Sequence, residues 1–205
     1  DDKLFYIGWN SGTTTYRMSL ISGLATYERD NFLRVSRAPL MSRNNKEPFG
    51  ICTAPFVIFD KGLYKMWYVS GEGWLDKDTP VYNIKYSYSK DGIKWERMGL
   101  TSLKLNKNET ALARPCVIKN KNSFEMYFSY KDPIIGYRIG YAISQDGIKF
   151  KRLIDSDHSL SVSSNGWDSD MVEYSLVFEH NNIRFMLYNG NGYGINGIGY
   201  AIYKE

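Results

Sequence analysis

Three stretches of the chain repeat one pattern of apolar and polar positions. They are APFVIFDKGLYKMWYVSG (Ala54 to Gly71), ARPCVIKNKNSFEMYFSY (Ala113 to Tyr130) and VEYSLVFEHNNIRFMLYNG (Val172 to Gly190). Each is an apolar run, a short polar turn, then an aromatic-rich run, which predicts a β-hairpin. The turns Asp60-Lys61-Gly62, Lys119 to Asn122 and His180-Asn181-Asn182 carry residue types that tolerate tight or left-handed backbone. Pro55, Pro115 and Tyr174 fall at matching places, 60 and 59 residues apart.

A second pattern follows the first two hairpins. In YNIKYSYSKDGIKWER (from Tyr82) and YRIGYAISQDGIKFKR (from Tyr137), an alternating run ends at Asp91-Gly92 or Asp146-Gly147. Asp-Gly between alternating runs signals a hairpin turn. Trp95 or Phe150 then falls at the start of the next strand. Partial copies lie at both ends. KLFYIGWN (Lys3 to Asn10) matches the second strand of the unit, and YRMSLISGLATYER (Tyr16 to Arg29) matches the outer hairpin. GIGYAIYKE (Gly197 to Glu205) matches the third strand. No segment keeps a helical period, so at most a short helical turn is expected.

A four-stranded antiparallel unit that recurs in this way predicts an all-β fold, a β-propeller. The expected organisation is a single partial domain with units at approximately 1–50, 51–110, 111–165 and 166–205. A β-sandwich of unrelated hairpins is the alternative. The matched prolines and paired Asp-Gly hairpins count against it.

Composition sharpens this picture in four places. Aromatic residues make up 16% of the chain, with 17 Tyr, which favours strands over helices. The net charge of +4 is spread along the chain without a dense basic run, so no nucleic-acid partner is expected. No apolar stretch approaches the roughly 18–20 residues that span a bilayer, and no membrane partner is expected. Cys52 and Cys116 lie far apart without metal-like spacing. They read as buried thiols of a reducing compartment, the cytoplasm, with a single disulfide as the alternative. The chain starts at Asp1 without a signal peptide or a methionine, as it would if a leader or a longer segment had been removed.

The residues also resemble a known group. APFVIF…YKMWYVSG, ARPCVI…FEMYFSY, the S-x-D-G-x-x-W/F hairpins and GWDSDMVEYSLVF…MLYNGNGYGINGIGYA are similar to the five-bladed β-propellers of the glycoside hydrolase superfamily of families 43, 32, 68, 117 and 130. The resemblance covers nearly the whole chain. It implies a carbohydrate-active protein, a glycoside hydrolase or phosphorylase, acting on an oligosaccharide or glycoside in the central channel. Five blades of about 60 residues need about 300 residues, and between three and four blades are present here. The resemblance therefore implies about 100 further N-terminal residues, or a second chain that completes the ring. An open ring exposes strand edges, so self-association or instability of the isolated chain is expected.

In this superfamily the cavity is lined by the starts of the innermost strands. Here those are Thr53-Ala54-Pro55, Ala113-Arg114-Pro115 and Val172-Glu173-Tyr174. Glu173 is the candidate general acid. It sits in an apolar strand start where the sister units carry Ala54 or Arg114, and apolar surroundings keep a carboxyl protonated near neutral pH. A structural pairing with Arg114 is the alternative. Asp170, in GWDSDM, is the candidate auxiliary carboxylate. Asp168 beside it reads as substrate-binding or, on the plainer view, turn-capping. Arg114 is the candidate anchor for a sugar carboxylate, a phosphate or a hydroxyl pair. Trp9, Glu72, Trp74, Tyr130, Asp132, Trp167 and Asn189 flank the cavity loops and complete the expected substrate-binding set, although core packing is the default for any aromatic in this chain. Asp91 and Asp146 are turn residues without chemistry. His158 and His180 lack a metal-binding pattern, and no metal or cofactor is expected. The second essential carboxylate is implied to come from the first blade. Its absence would leave a non-catalytic glycan-binding or assembly propeller.

Overall fold

A computed structural model describes residues 2–11, 16–154 and 158–204. It forms two compact units, Asp1–Thr101 and Ser102–Glu205. The first unit holds β1 (Lys3–Ser11), β2 (Met18–Glu28), β3 (Asn31–Arg34), β4 (Ile51–Asp60), β5 (Leu63–Trp74), β6 (Pro80–Ser89) and most of β7 (Glu96–Leu103). The second holds β8 (Ala111–Lys119), β9 (Phe124–Asp132), β10 (Gly136–Ser144), β11 (Lys151–Leu153), β12 (Glu173–His180), β13 (Ile183–Asn189), a single helical turn α1 (Asn191–Gly194), and β14 (Ile198–Ile202). No helix among the described residues is long and apolar enough to cross a membrane.

In the first unit, β1, β2 and β3 form one antiparallel meander and β4, β5, β6 and β7 another. β2 and β4 meet in a short parallel pairing at Leu20↔Ile51 and Ile21↔Cys52. In the second unit the meanders are β8-β9-β10-β11 and β12-β13-β14. Three of the hairpins turn on two consecutive left-handed residues: Arg29-Asp30, Lys61-Gly62 and Asn181-Asn182. That backbone matches the natural twist of paired strands.

The repeated S-x-D-G phrase folds as a longer loop than a two-residue turn. Ser89 and Asp91 close it between β6 and β7 by hydrogen bonding. Asp91 Oδ1 accepts from the backbone N–H of Ile93 and of Lys94, each at 2.8 Å, and Ser89 Oγ accepts from Gly92 N–H at 2.9 Å. The backbone N–H groups, Lys94 first, hold the Asp91 carboxyl down at about 2. Ser144 and Asp146 repeat the arrangement between β10 and β11. Gly92 and Gly147 are both left-handed, at φ 75° and 73°. This explains the phrase fully: serine and aspartate cap the loop, and glycine turns it.

The starts of β4, β8 and β12 share an irregularity. Register slips between Thr53 and Phe56, between Ala113 and Cys116, and between Glu173 and Leu176. At the slip Ala54, Arg114 and Tyr174 take left-handed backbone, at φ 47°, 47° and 55°. These are β-bulges at equivalent places, and they correct the sequence alignment by one residue. Ser175, not Tyr174, matches Pro55 and Pro115. Glu173 therefore matches Thr53 and Ala113, while Tyr174 takes the position of Ala54 and Arg114.

The cores are strand-built. Trp67 and Tyr68 are neighbours in β5, and Tyr127 and Phe128 are neighbours in β9; all four are buried. Successive side chains on a strand point to opposite faces, so both faces of these central strands are covered. Phe128 lies over Gly140, its cross-strand partner, and a Cβ there would fall 2.5 Å from the ring. Trp95 packs on a cluster of Met41, Cys52, Met66 and Tyr68, as its place before β7 leads one to expect. Both cysteines are buried free thiols, and burial raises each to about 11.

Candidate functional site

The start of β12 is held to its neighbours by backbone groups. Val172 N–H donates to Tyr137 O at 3.4 Å, and Tyr174 N–H donates to Ser129 Oγ at 2.7 Å. Between them Glu173 sits opposite Asn189. Its residue is 0% exposed, yet neither carboxyl oxygen has a hydrogen-bond partner among the described residues. Buried polar groups are nearly always paired, so an orphaned buried carboxyl requires an explanation. Burial pushes Glu173 up to about 7, and the positive charges of Lys131 and Arg114 offset this only in part.

Three tyrosines and two cations surround this strand start. The ring centroids of Tyr137 and Tyr174 are 5.8 Å apart, those of Tyr137 and Tyr193 are 6.1 Å, and those of Tyr174 and Tyr193 are 6.4 Å. The Arg114 guanidinium stands 5.3 Å from the Tyr174 centroid and Lys131 Nζ stands 5.6 Å from the Tyr137 centroid. Among the described residues neither cation joins a salt bridge. The left-handed bulge that turns Arg114 out of β8 is the same device that aligns Tyr174 beside it. Sequence reasoning singled out Tyr130 and Asp132 but not Lys131 between them, and it passed over Tyr137 and Tyr193. The only signal for Lys131 was its place at the end of a second strand.

A second buried glutamate in the chain shows what a satisfied one looks like. Glu47, in the first unit, accepts hydrogen bonds from Tyr68 Oη at 2.7 Å, from Ser70 Oγ at 3.4 Å and from the Arg97 guanidinium. Burial pushes its carboxyl up, but the Arg97 and Tyr68 hydrogen bonds and the nearby positive charge outweigh burial and leave it below its usual value. Glu47 is a structural tie, and sequence reasoning missed it because it lies in an irregular connection.

The remaining sequence candidates occupy several environments. Asp170 is exposed in the loop before β12, and its backbone N–H donates to Asn191 Oδ1 at 2.8 Å. Asp168 is buried and accepts from Tyr188 Oη at 2.9 Å. Trp167 stacks on Tyr188 with centroids 5.5 Å apart and fills space against Gly190 and Gly199. Asn189 donates to Tyr193 O at 3.2 Å. Asp132 Oδ1 accepts from Ile134 N–H at 2.8 Å and so caps its own turn. Tyr130 lines a cavity of about 730 Å³ with Arg138, Arg152 and Glu109, and that cavity does not include Glu173. Tyr130 and Lys131 are adjacent in β9 and face opposite ways.

Trp9, Glu72 and Trp74 belong to the first unit. Trp9 is 61% exposed. Glu72 pairs with buried Lys85 at 2.9 Å, and Trp74 stacks on Tyr16 at 4.7 Å. His158 stacks between Tyr141 and Tyr203. Among the described residues no group of three or more His, Cys, Asp or Glu could hold a metal ion.

No family model matches the chain. Two uncharacterised proteins of Mycobacterium tuberculosis do: MT1551 of strain CDC 1551 / Oshkosh and Rv1502 of strain H37Rv. Each is 36% identical over 204 residues, covering 98% of this chain and 67% of the relative. Among solved structures, one titled simply a glycoside hydrolase is similar with a TM-score of 0.75 at 17% identity, over 99% of this chain and 62% of that one. The sucrose-6-phosphate hydrolase from Lactobacillus gasseri is similar at a TM-score of 0.72 and 12% identity, over 99% of this chain and 42% of that one. The β-1,2-mannobiose phosphorylase from Listeria innocua is similar at 0.63 and 14%, over 93% of this chain and 50% of that one. The chain thus spans about three fifths, or less, of these structures. At such identities the likeness is one of fold, and the fold is the β-propeller that the repeats predict.

Proposed function

The chain belongs to the family of the Mycobacterium tuberculosis proteins MT1551 and Rv1502, and from that footing we propose that it is a carbohydrate-active protein that cleaves a glycosidic bond as a glycoside hydrolase or phosphorylase. One observation carries the proposal. At the bulged start of β12 stands a fully buried carboxyl, Glu173, that no described residue partners and that burial holds up at about 7. Glycosyl transfer needs such a group, a carboxylic acid still protonated near neutral pH, to give its proton to the leaving oxygen. In this reading Glu173 is the general acid. Asp170, on the loop before it, is the auxiliary carboxylate that assists the attacking water or phosphate. Arg114 anchors the substrate. Within the second unit, Tyr174 and the part-exposed Trp167 offer ring faces to a sugar, and Asn189 stands opposite Glu173 as a further substrate-binding residue.

A second reading rests on its own observation. The charges that act on Glu173 are both positive, and no carboxylate is among them. An acid without a partnered base suits a non-catalytic glycan-binding propeller. Incubating the full-length protein with oligosaccharides and aryl glycosides, with and without phosphate, separates the two. Products are followed by mass spectrometry beside a Glu173→Gln variant. Turnover that falls at least about a hundredfold in the variant is the expected result, the range for loss of a general acid. Turnover equal in both proteins sinks the assignment of Glu173. Sugar binding without turnover in either leaves the binding reading.

A further inference from the structure

We infer that Arg114 and Lys131 form an oxyanion site against the Glu173 carboxyl, one that takes either free phosphate or a carboxylate or phosphate carried by a sugar. This deepens the carbohydrate reading and rests on it for the sugar-borne case. Three observations converge. Arg114 and Lys131 come from different strands, β8 and β9, yet their charges act on the same carboxyl in β12. Neither cation is neutralised by a salt bridge among the described residues, whereas Arg97, Arg152, Arg184, Lys65 and Lys85 pair with carboxylates; Arg114 is exposed and Lys131 half-buried, so both keep donors that a ligand can reach. The orphaned side chain at the centre is wholly buried and has hydrogen-bonding capacity to spare.

Simple pairing would have been the cheap solution. A buried carboxylate beside two cations gains by hydrogen bonding to one of them, as Glu47 does with Arg97. Here the cations rest on aromatic faces instead, 5.3 Å and 5.6 Å from the Tyr174 and Tyr137 ring centroids. Cation–π contact holds each side chain in place without consuming its N–H donors. The guanidinium presents a planar fork that matches an oxyanion in two hydrogen bonds, and the ammonium supplies a compact charge. A protonated Glu173 adds an O–H donor. Two cations and a neutral acid suit an anion far better than a neutral sugar.

The charges that act on Glu173 are those of Arg114 on β8 and Lys131 on β9, and the neutral Asn189 of β13 stands opposite it. A bound anion disfavours the ionised carboxyl, so binding takes up a proton wherever Glu173 would otherwise be part-ionised. An anionic substrate would thereby keep its own acid protonated.

The test is titration calorimetry on the full-length protein at low salt and pH 7.5, with inorganic phosphate, glucuronate and neutral glucose as probes. Each is run in two buffers of different ionisation enthalpy, so that proton uptake is read directly. Phosphate or glucuronate should bind at least about tenfold tighter than glucose, and Arg114→Ala and Lys131→Ala should each weaken that binding about tenfold, the loss of one charge-assisted contact. Arg114→Lys should retain part of it. Glu173→Gln should still bind glucuronate but take up no proton. Phosphate binding alone indicates a free anion, and glucuronate binding alone indicates a sugar-borne one. Glucose bound as tightly as the anions, or anion binding untouched in the Arg114 and Lys131 variants, overturns the inference while leaving the carbohydrate reading intact. Phosphate binding without any glycan binding keeps this site and removes the carbohydrate reading.

Discussion

Glu47 and Glu173 are both fully buried, and their surroundings send them in opposite directions. For Glu47, hydrogen bonds and a guanidinium outweigh burial; for Glu173, burial outweighs two cations that never touch it. The consequences for stability have opposite signs. An acid whose folded pKa is raised binds protons more tightly when folded, so stability falls as pH rises from about 4.5 to about 7. Glu173→Gln removes that penalty. The variant should match the parent at pH 4 and exceed it by up to about 3 kcal/mol at pH 8, measured by denaturant unfolding. Equal stability at both pH values would mean that Glu173 is ordinarily solvated. The Glu47 carboxyl is lowered, so its contribution is present above the unfolded value and fades as pH falls. Glu47→Gln strands the Arg97 charge and should cost about 3–5 kcal/mol at pH 7.

Strands and their irregularities set where these side chains point. The bulge at the start of β4, β8 and β12 puts a non-glycine residue into left-handed backbone three times. Such strain costs on the order of 1 kcal/mol and persists where surrounding structure enforces it. Ala54→Gly should therefore stabilise by up to about 1 kcal/mol in thermal or chemical unfolding, since glycine adopts that backbone freely. Gly140→Ala is the opposite case. A methyl group would meet the Phe128 ring at 2.5 Å, and overpacking of this kind costs about 1–3 kcal/mol. The hairpins were legible because Lys61-Gly62 and Asn181-Asn182 are turn residues between apolar runs. The bulges were not. Pro55 and Pro115 mark the second bulge residue in two units, but Ser175 stands there in the third, and an apolar run hides one extra residue. That is why the sequence alignment came out one residue off at Glu173. The S-x-D-G phrase was read as a turn, and its serine explains itself only once Ser89 Oγ is seen to accept from Gly92.

At the scale of the molecule, the recurrence of one four-stranded pattern was enough to name the fold. Gly140-Tyr141-Ala142-Ile143 and Gly199-Tyr200-Ala201-Ile202 are the same third strand written twice. Glu173 and Arg114 were legible as charges inside apolar runs; Arg114 turns out exposed, while Glu173 is buried at a cost that calls for a reason. Lys131 was not legible, because a lysine at a strand end is ordinary and only its lack of a partner makes it informative. The ring geometry of Tyr137, Tyr174 and Tyr193 depends on three separate strands and loops meeting, which no local pattern records. If Glu173 acts as an acid, turnover should decline as pH rises through about 7, following loss of the protonated carboxyl. The most direct test of the account needs no substrate. Carboxyl-carbon NMR of the full-length protein, labelled at glutamate, is titrated beside Glu173→Gln. The account predicts one resonance that titrates close to pH 7 and is missing from the variant. If every glutamate titrates below about pH 5, as solvated ones do, then Glu173 is an ordinary carboxylate and the proposed acid does not exist.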